Sequence, residues 1–196
     1  MQNPKILVLA GSTRAGSLNR RLARAGAEAL VAAGCEVDHL ELADVAMPLY
    51  DGDLEAASGL PAGAVAFRAR LAAADGFMIV SPEYNGSIPG HLKNALDWAS
   101  RGDEDVFEGK VVALMAASPG RLGGNRMLPH LRHVMTVLGC WVVPEQVAVA
   151  QAADAFDPDG RLTSGFHQKQ VAGLAEALAD AVRRLTPVHD PATPAP

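Results

Sequence analysis

At 196 residues, the chain has the size of one domain with a sizeable core. Its 17 basic and 22 acidic residues leave a net charge of −5 with no basic cluster along any face, which argues against nucleic acid as a partner. No apolar run approaches the ~20 residues of a membrane span; the start lacks the basic, apolar and small-residue order of a signal peptide, so the expected compartment is the cytoplasm.

In chain order, "KILVLA" (5–10) reads as a short buried strand closed by Gly11. Helical spacing of Leu18, Leu22, Ala25 and Ala29 predicts a helix over 18–33, stopped by Gly34. "CEVDHLEL" (35–42) alternates like a second strand, and 43–61 is long and loop-like. Pro61 suits a first helical position, with "AGAVAFRARLAAA" carrying the helix on. "GFMIVS" (76–81) is a third strand, followed by a loop from Pro82 to Pro89 and the helix "GHLKNALDWAS". "KVVALMAA" (110–117) is a fourth strand and "SPGRLGG" its loop; Met127, Leu131, Val134 and Leu138 mark the next helix face. "CWVVPEQVAV" (140–149) is a fifth strand that Pro144 bends or places at an edge. A polar loop leads to a last helix with Val171, Leu174, Leu178, Val182 and Leu185 on one stripe. The Pro-rich stretch 187–196 reads as a disordered tail after a single domain over 1–186.

Strands alternating with helices, three of them uniformly apolar, predict an α/β fold. Its parallel sheet is doubly wound, with helices on both faces. Ligands of such sheets sit beyond the carboxyl ends of the strands. The loops after strands 1, 3 and 4 all open onto that edge.

The first of these, "GSTRAGSLNR" (11–20), joins a strand to a helix N-terminus, where free N–H groups and the helix dipole favour an anion. Ser12, Thr13, Ser17 and Asn19 add neutral donors, and Arg14 adds a fixed charge. Ser17 stands where a triphosphate loop needs Lys, and the G-x-G-x-x-G of a dinucleotide fold is absent. A metal-free phosphate monoester fits best; the plainer reading of Ser17 is an ordinary helix cap. Glu41 imitates a ribose-binding acid, although a lone acid after strand 2 is common.

Three stretches, "GSTRAGSLNR", "PEYNGSIPGHLKNALDW" (82–98) and "SPGRLGGNRMLPHLR" (118–132), occur in an order and spacing that resembles the NADPH-dependent FMN reductase family over roughly residues 4–185. The second is the most specific. The resemblance implies a flavodoxin-like, five-stranded parallel sheet of order 2-1-3-4-5. It also implies FMN as cofactor, NADPH or NADH as co-substrate and a small-molecule electron acceptor such as a quinone, an azo compound or free flavin. Carried over residue by residue, Ser12, Arg14, Ser17 and Asn19 would hold the FMN phosphate. Pro82, Glu83, Tyr84, Asn85 and Gly86 would border the flavin ring, and Ser118, Gly120 and Gly123 would close its other side. Glycines at 86, 120 and 123 let backbone approach a flat ring closely. The cofactor itself carries the electrons, so no catalytic side chain is expected.

The resemblance further implies a homodimer or homotetramer. The stripe Leu92, Leu96 and Ala99 beside Trp98 is expected to form part of a subunit contact, the alternative being packing on the chain's own sheet. Lys93 and Asp97 read as a helix-surface pair. Arg126 and Arg132 read equally as subunit ion pairs or solvated face. His91, His130, His133 and His167 show no metal-ligand pattern. Cys35 and Cys140 read as free buried thiols. The alternative to an FMN-dependent reductase is a flavodoxin-type electron carrier serving a protein partner. A third reading is a nucleotide-binding or regulatory domain without flavin.

Overall fold

A computed structural model describes residues 3–185, so the stretch 187–196 read as a tail lies outside the described residues. The strands are β1 (Lys5–Ala10), β2 (Glu36–Glu41), β3 (Gly76–Val80), β4 (Val111–Ala117) and β5 (Trp141–Val149). All pair in parallel in one sheet of order β2-β1-β3-β4-β5, as expected. The helices are α1 (Leu18–Ala32), α2 (Gly52–Ser58), α3 (Ala62–Ala72), α4 (Gly90–Ala99), α5 (Met127–Val137) and α6 (Gly165–Leu185).

Alternation along each strand splits the core into two layers. Ile6, Val8, Met78, Val80, Ala113 and Met115 face α1 and α6, meeting Leu22 and Leu30 of α1 and Leu174 and Leu178 of α6. Leu7, Leu9, Phe77, Ile79, Val112 and Leu114 face α3, α4 and α5, meeting Phe67, Leu92, Leu96 and Leu131. Both faces of β1, β3 and β4 are covered, which is why these strands carry apolar side chains on both sides.

Two local readings change. The connection after β2, read as loop, contains a 3-10 turn at Leu42–Asp44 and the helix α2. None of the α2 residues is buried, so hydrophobic periodicity could not reveal it. Its remaining signal is Asp51, whose carboxylate accepts from the Asp53 N–H at 2.8 Å as an N-cap. Pro61 caps α3 from just outside rather than occupying its first turn. Strand β5 is an edge strand, as Pro144 implies, and its register against β4 shifts between Val112 and Leu114. Arg132 supports the irregularity by donating to the carbonyls of Val143, at 2.7 Å, and Pro144, at 3.3 Å.

The chain runs from β1 out to β2 and then back across to β3. The strand order therefore reverses between β1 and β3, and the loops following these strands diverge at the carboxyl edge of the sheet.

Candidate functional site

The first loop is built around unpaired donors. The Gly11 N–H still pairs with the Val80 carbonyl at 2.9 Å. Past it, the backbone N–H groups of Ser12, Thr13, Ala15, Gly16 and Leu18 meet no acceptor among the described residues. Ser17 is the N-cap of α1; its Oγ accepts from the N–H groups of Asn19, at 3.2 Å, and Arg20, at 3.4 Å. The Ser12 Oγ accepts from the Arg14 N–H at 3.4 Å. Both hydroxyls are buried, and capping uses their lone pairs while leaving their protons to donate. The helix-cap and anion-donor readings of Ser17 are thus compatible. Arg14 is exposed, and its guanidinium has no partner among the described residues. Its charge stands uncompensated beside the positive end of α1.

Asn19 serves differently from the phosphate contact expected of it. It is buried, its Nδ2 donates to the Ala117 carbonyl at 2.8 Å, and its Oδ1 accepts from the Ala117 N–H at 2.8 Å. The carboxamide thus ties the start of α1 to the end of β4 and braces two loops against each other.

The second loop leaves β3 through the buried Ser81 and the half-buried Pro82. Tyr84 and Ser87 exchange two backbone hydrogen bonds of 3.0 Å each. Between them, φ is 51° at Asn85 and 78° at Gly86. Positive φ at both central positions is the pattern of the tight hairpin turn that favours Asn-Gly. Asn85 and Gly86 therefore shape the loop. Glu83 turns toward the third loop, where its Oε2 accepts from the Arg126 backbone N–H at 3.0 Å and its Oε1 from Arg126 Nε at 2.8 Å. Burial pushes the Glu83 carboxyl up. The Arg126 guanidinium and the N–H groups of Arg126 and Met127 together outweigh that, holding it below the ordinary carboxylate value. This pair resolves the role of Arg126: within the chain, it joins the second loop to the start of α5.

In the third loop, Ser118 Oγ accepts from the Gly120 N–H at 3.2 Å, and the carbonyls of Ser118 and Gly120 accept from Ala152 and Gln151 at 3.0 Å each. Gly123 has φ 62° and lies against β5, where a Cβ would come within 2.7 Å of the Ala150 nitrogen and 2.8 Å of the Val149 carbonyl carbon. The glycine requirement there comes from packing on that backbone.

The three loops enclose a cavity of about 400 Å³ at the carboxyl edge, in the size range of small-ligand sites. Its walls are Ser12, Arg14, Gly16, Ser17, Leu18 and Asn19 from the first loop, Pro82, Glu83 and Tyr84 from the second, and Ala117, Ser118 and Pro119 from the third. Of the expected site residues, Asn85, Gly86, Gly120 and Gly123 stand outside this lining. Sequence reasoning missed Gly16, Leu18, Ala117 and Pro119 as wall residues because none of them carries a polar side chain to mark it. A larger cavity, about 520 Å³, sits by the ends of α4 and α5, but its Asp103, Glu104, Asp105 and Glu108 make it unsuited to an anion.

His91 supports the first loop, with its Nε2 donating to the Gly11 carbonyl at 2.9 Å and its ring edge-to-face with Tyr84 at 5.9 Å. The stripe Leu92, Leu96 and Ala99 is buried in the chain's own core, so it is not a subunit face. Trp98 is fully buried as well. Its Nε1 donates to the Pro48 carbonyl at 2.9 Å and its ring meets Tyr50 edge-to-face at 5.0 Å, pinning the segment after β2 onto α4. Lys93 and Asp97 form the expected surface pair. Cys35 and Cys140 are free and buried; burial, and then Asp105, pushes the Cys140 thiol up to about 12.

Among the described residues, no helix is long and apolar enough to cross a membrane. The family described as NADPH-dependent FMN reductase matches residues 4–154. The chain is 40% identical over 183 residues to an NAD(P)H-dependent FMN reductase of Pseudomonas aeruginosa, covering 92% of this chain and 96% of that protein. It is 41% identical over 140 residues to a quinone reductase of Escherichia coli K12, covering 71% and 73% of the two chains. The solved structure of FerB, a flavoenzyme NAD(P)H:(acceptor) oxidoreductase from Paracoccus denitrificans, superposes with a TM-score of 0.80 at 28% identity, over 93% of this chain and 98% of that one. These proteins are named as reductases, which decides between the enzyme and electron-carrier readings in favour of the enzyme. The chain belongs to the NADPH-dependent FMN reductase family.

Proposed function

We propose that this FMN- and NAD(P)H-dependent oxidoreductase reduces quinones, with the FMN phosphate held in the first loop and the ring bordered by the second and third. The observation that carries the reading is the row of unpaired N–H groups at Ser12, Thr13, Ala15, Gly16 and Leu18 beside the free guanidinium of Arg14. So many donors turned from every internal acceptor suit a dianionic terminal group and need no metal. The quinone acceptor is inferred from the names of the Escherichia coli protein and of a 2-hydroxy-1,4-benzoquinone reductase of a Burkholderia species, 36% identical over 181 residues.

When bound, FMN would supply the redox chemistry, the transfer of a hydride equivalent from NAD(P)H to the acceptor. The residues of the chain bind and orient. Ser12 and Ser17 would hold the phosphate through their hydroxyl protons, and Arg14 would contribute the fixed charge. Asn19 keeps the phosphate loop in register with β4. The turn at Asn85–Gly86, held by Glu83 and Arg126, sets the height of the second loop. Tyr84 and Pro82 exclude water on that side. No side chain is assigned a proton transfer. Donor and acceptor use the same site in turn.

The test is titration of the flavin-free protein with FMN, riboflavin and FAD, followed by anaerobic addition of NADPH and then a benzoquinone. FMN is expected to bind most tightly, its visible absorbance to bleach with NADPH, and the quinone to restore it. Steady-state rates should give parallel double-reciprocal lines. Equal affinity for riboflavin and FMN would sink the phosphate assignment, and intersecting lines would sink the alternation.

The expected homodimer or homotetramer needs another surface than the α4 stripe. Val137 and Trp141, exposed at 71% and 61% at the α5–β5 edge, are apolar side chains available for it, and sedimentation of the flavin-bound protein tests the assembly.

A further inference from the structure

Arg20 lies in the first turn of α1 and outside the cavity wall. Its Nη1 donates to two successive carbonyls of the first loop, those of Arg14 and Ala15, at 3.4 Å each. The Arg14 carbonyl also accepts from the Ser17 N–H at 3.2 Å, whereas the Ala15 carbonyl has Arg20 alone among the described residues. Its Nη2 pairs with the carboxylate of Glu41, the last residue of β2. One guanidinium thus ties the back of the phosphate loop to the neighbouring strand.

The consequence follows from peptide geometry. In a trans peptide the carbonyl and the following N–H lie in one plane and point in opposite directions. The Arg14 carbonyl shares its plane with the Ala15 N–H, and the Ala15 carbonyl with the Gly16 N–H. Gripping both carbonyls from one side turns these two N–H groups to the other, and both meet no acceptor among the described residues. Gly16 lines the cavity and imposes no side chain that would fix its φ and ψ, so something else must hold its plane.

We propose that Arg20, anchored by Glu41, is a positioning residue that pre-orients the Ala15 and Gly16 N–H groups for the cofactor phosphate. It confers the preference for phosphorylated over unphosphorylated flavin without touching either. This rests on the reading that the first loop receives the FMN phosphate. The mechanism is preorganisation: the loop is ordered before the ligand arrives, so binding does not bear that entropy cost.

The experiment measures dissociation constants of flavin-free protein for FMN and for riboflavin, by quenching of flavin fluorescence, in wild type, Arg20→Met, Arg20→Lys and Glu41→Gln. Arg20→Met keeps the aliphatic stem along α1 and should weaken FMN by about tenfold, the scale set by freeing the one peptide plane between Ala15 and Gly16, since the Arg14 carbonyl keeps its bond from the Ser17 N–H. Riboflavin should change less than about twofold, because it lacks the group those N–H donors serve. Arg20→Lys should restore part of the preference, since an ammonium reaches one carbonyl more readily than two plus Glu41. Glu41→Gln should lower the preference less than Arg20→Met does. A fall in FMN and riboflavin affinity by the same factor in Arg20→Met would mean a general structural role and overturn the proposal. Should Arg20→Met not fold, an unchanged FMN-to-riboflavin ratio in both Arg20→Lys and Glu41→Gln overturns it equally. Failure of the underlying reading looks different: wild type itself would bind riboflavin as tightly as FMN.

Discussion

Replacing Asn19 by Leu separates a brace from a ligand contact. Leucine has the same number and branching of side-chain heavy atoms, so no cavity is created, but its methyl groups are bulkier and it has no polar atoms. The Ala117 N–H then loses its 2.8 Å acceptor and the Ala117 carbonyl loses its 2.8 Å donor, both in a buried setting. An unsatisfied buried donor costs about 1–3 kcal/mol and a lost hydrogen bond about 0.5–1.5 kcal/mol, so the flavin-free protein should lose roughly 2–4 kcal/mol. For a domain of this size, about 3 kcal/mol lowers the melting temperature by roughly 6–12 °C. The assay is urea unfolding of flavin-free wild type and variant, comparing midpoints at constant slope, since bound ligand would mask the change. FMN affinity should fall too, as the first loop loses its hold on β4. A variant as stable as wild type without flavin, yet weak in FMN binding, would refute this reasoning and restore Asn19 as a direct phosphate contact.

Arg14→Ala should weaken FMN binding by about 1.5–3 kcal/mol, the range for a hydrogen bond to a charged group, and leave the melting temperature of the flavin-free protein unchanged, because the side chain is exposed and unpaired. Fluorescence titration checks this, and unchanged affinity would show that backbone and hydroxyls suffice. Gly123→Ala should destabilise the protein by at least about 1–3 kcal/mol through its left-handed backbone alone, with displacement of the Ala148–Ala150 backbone adding to the loss seen in a melting curve. Glu83 ionises below the ordinary carboxylate value in the folded protein, so its charged form stabilises the fold above that value. The contribution is lost as pH falls through the folded value. The stability gap between wild type and Glu83→Gln should therefore be largest near neutral pH and close in acid; urea midpoints showing a gap independent of pH would remove Glu83 from this role.

Much of the architecture was legible in the chain because it depends on patterns local in sequence. Apolar runs at 5–10, 76–80 and 111–117 mark strands covered on both faces, and the helical stripes of α1, α5 and α6 need only period and composition. The loop motifs showed where a phosphate and a ring could sit for the same reason: free N–H groups and Asn-Gly turns are properties of a few consecutive residues. What the sequence could not convey is the direction in which a polar side chain turns once the strands are in order. Asn19 reads as a donor for the loop it borders, but pairing of β1 with β3 and of β3 with β4 brings Ala117 within reach, and its carboxamide goes there. Glu83 reads as a neighbour of the ring, while the end of β4 and the start of α5 place Arg126 beside it. Trp98 and the Leu92–Leu96–Ala99 stripe read as a subunit face until the segment after β2 folds back over α4 and the helix settles on the sheet. Arg20, unremarkable in sequence, and Glu41, which there imitates a ribose-binding acid, meet because β2 is the edge strand beside β1. Periodicity says that a face is buried, but only the packed chain decides against what, since the partner comes from a segment whose distance along the sequence carries no local signal.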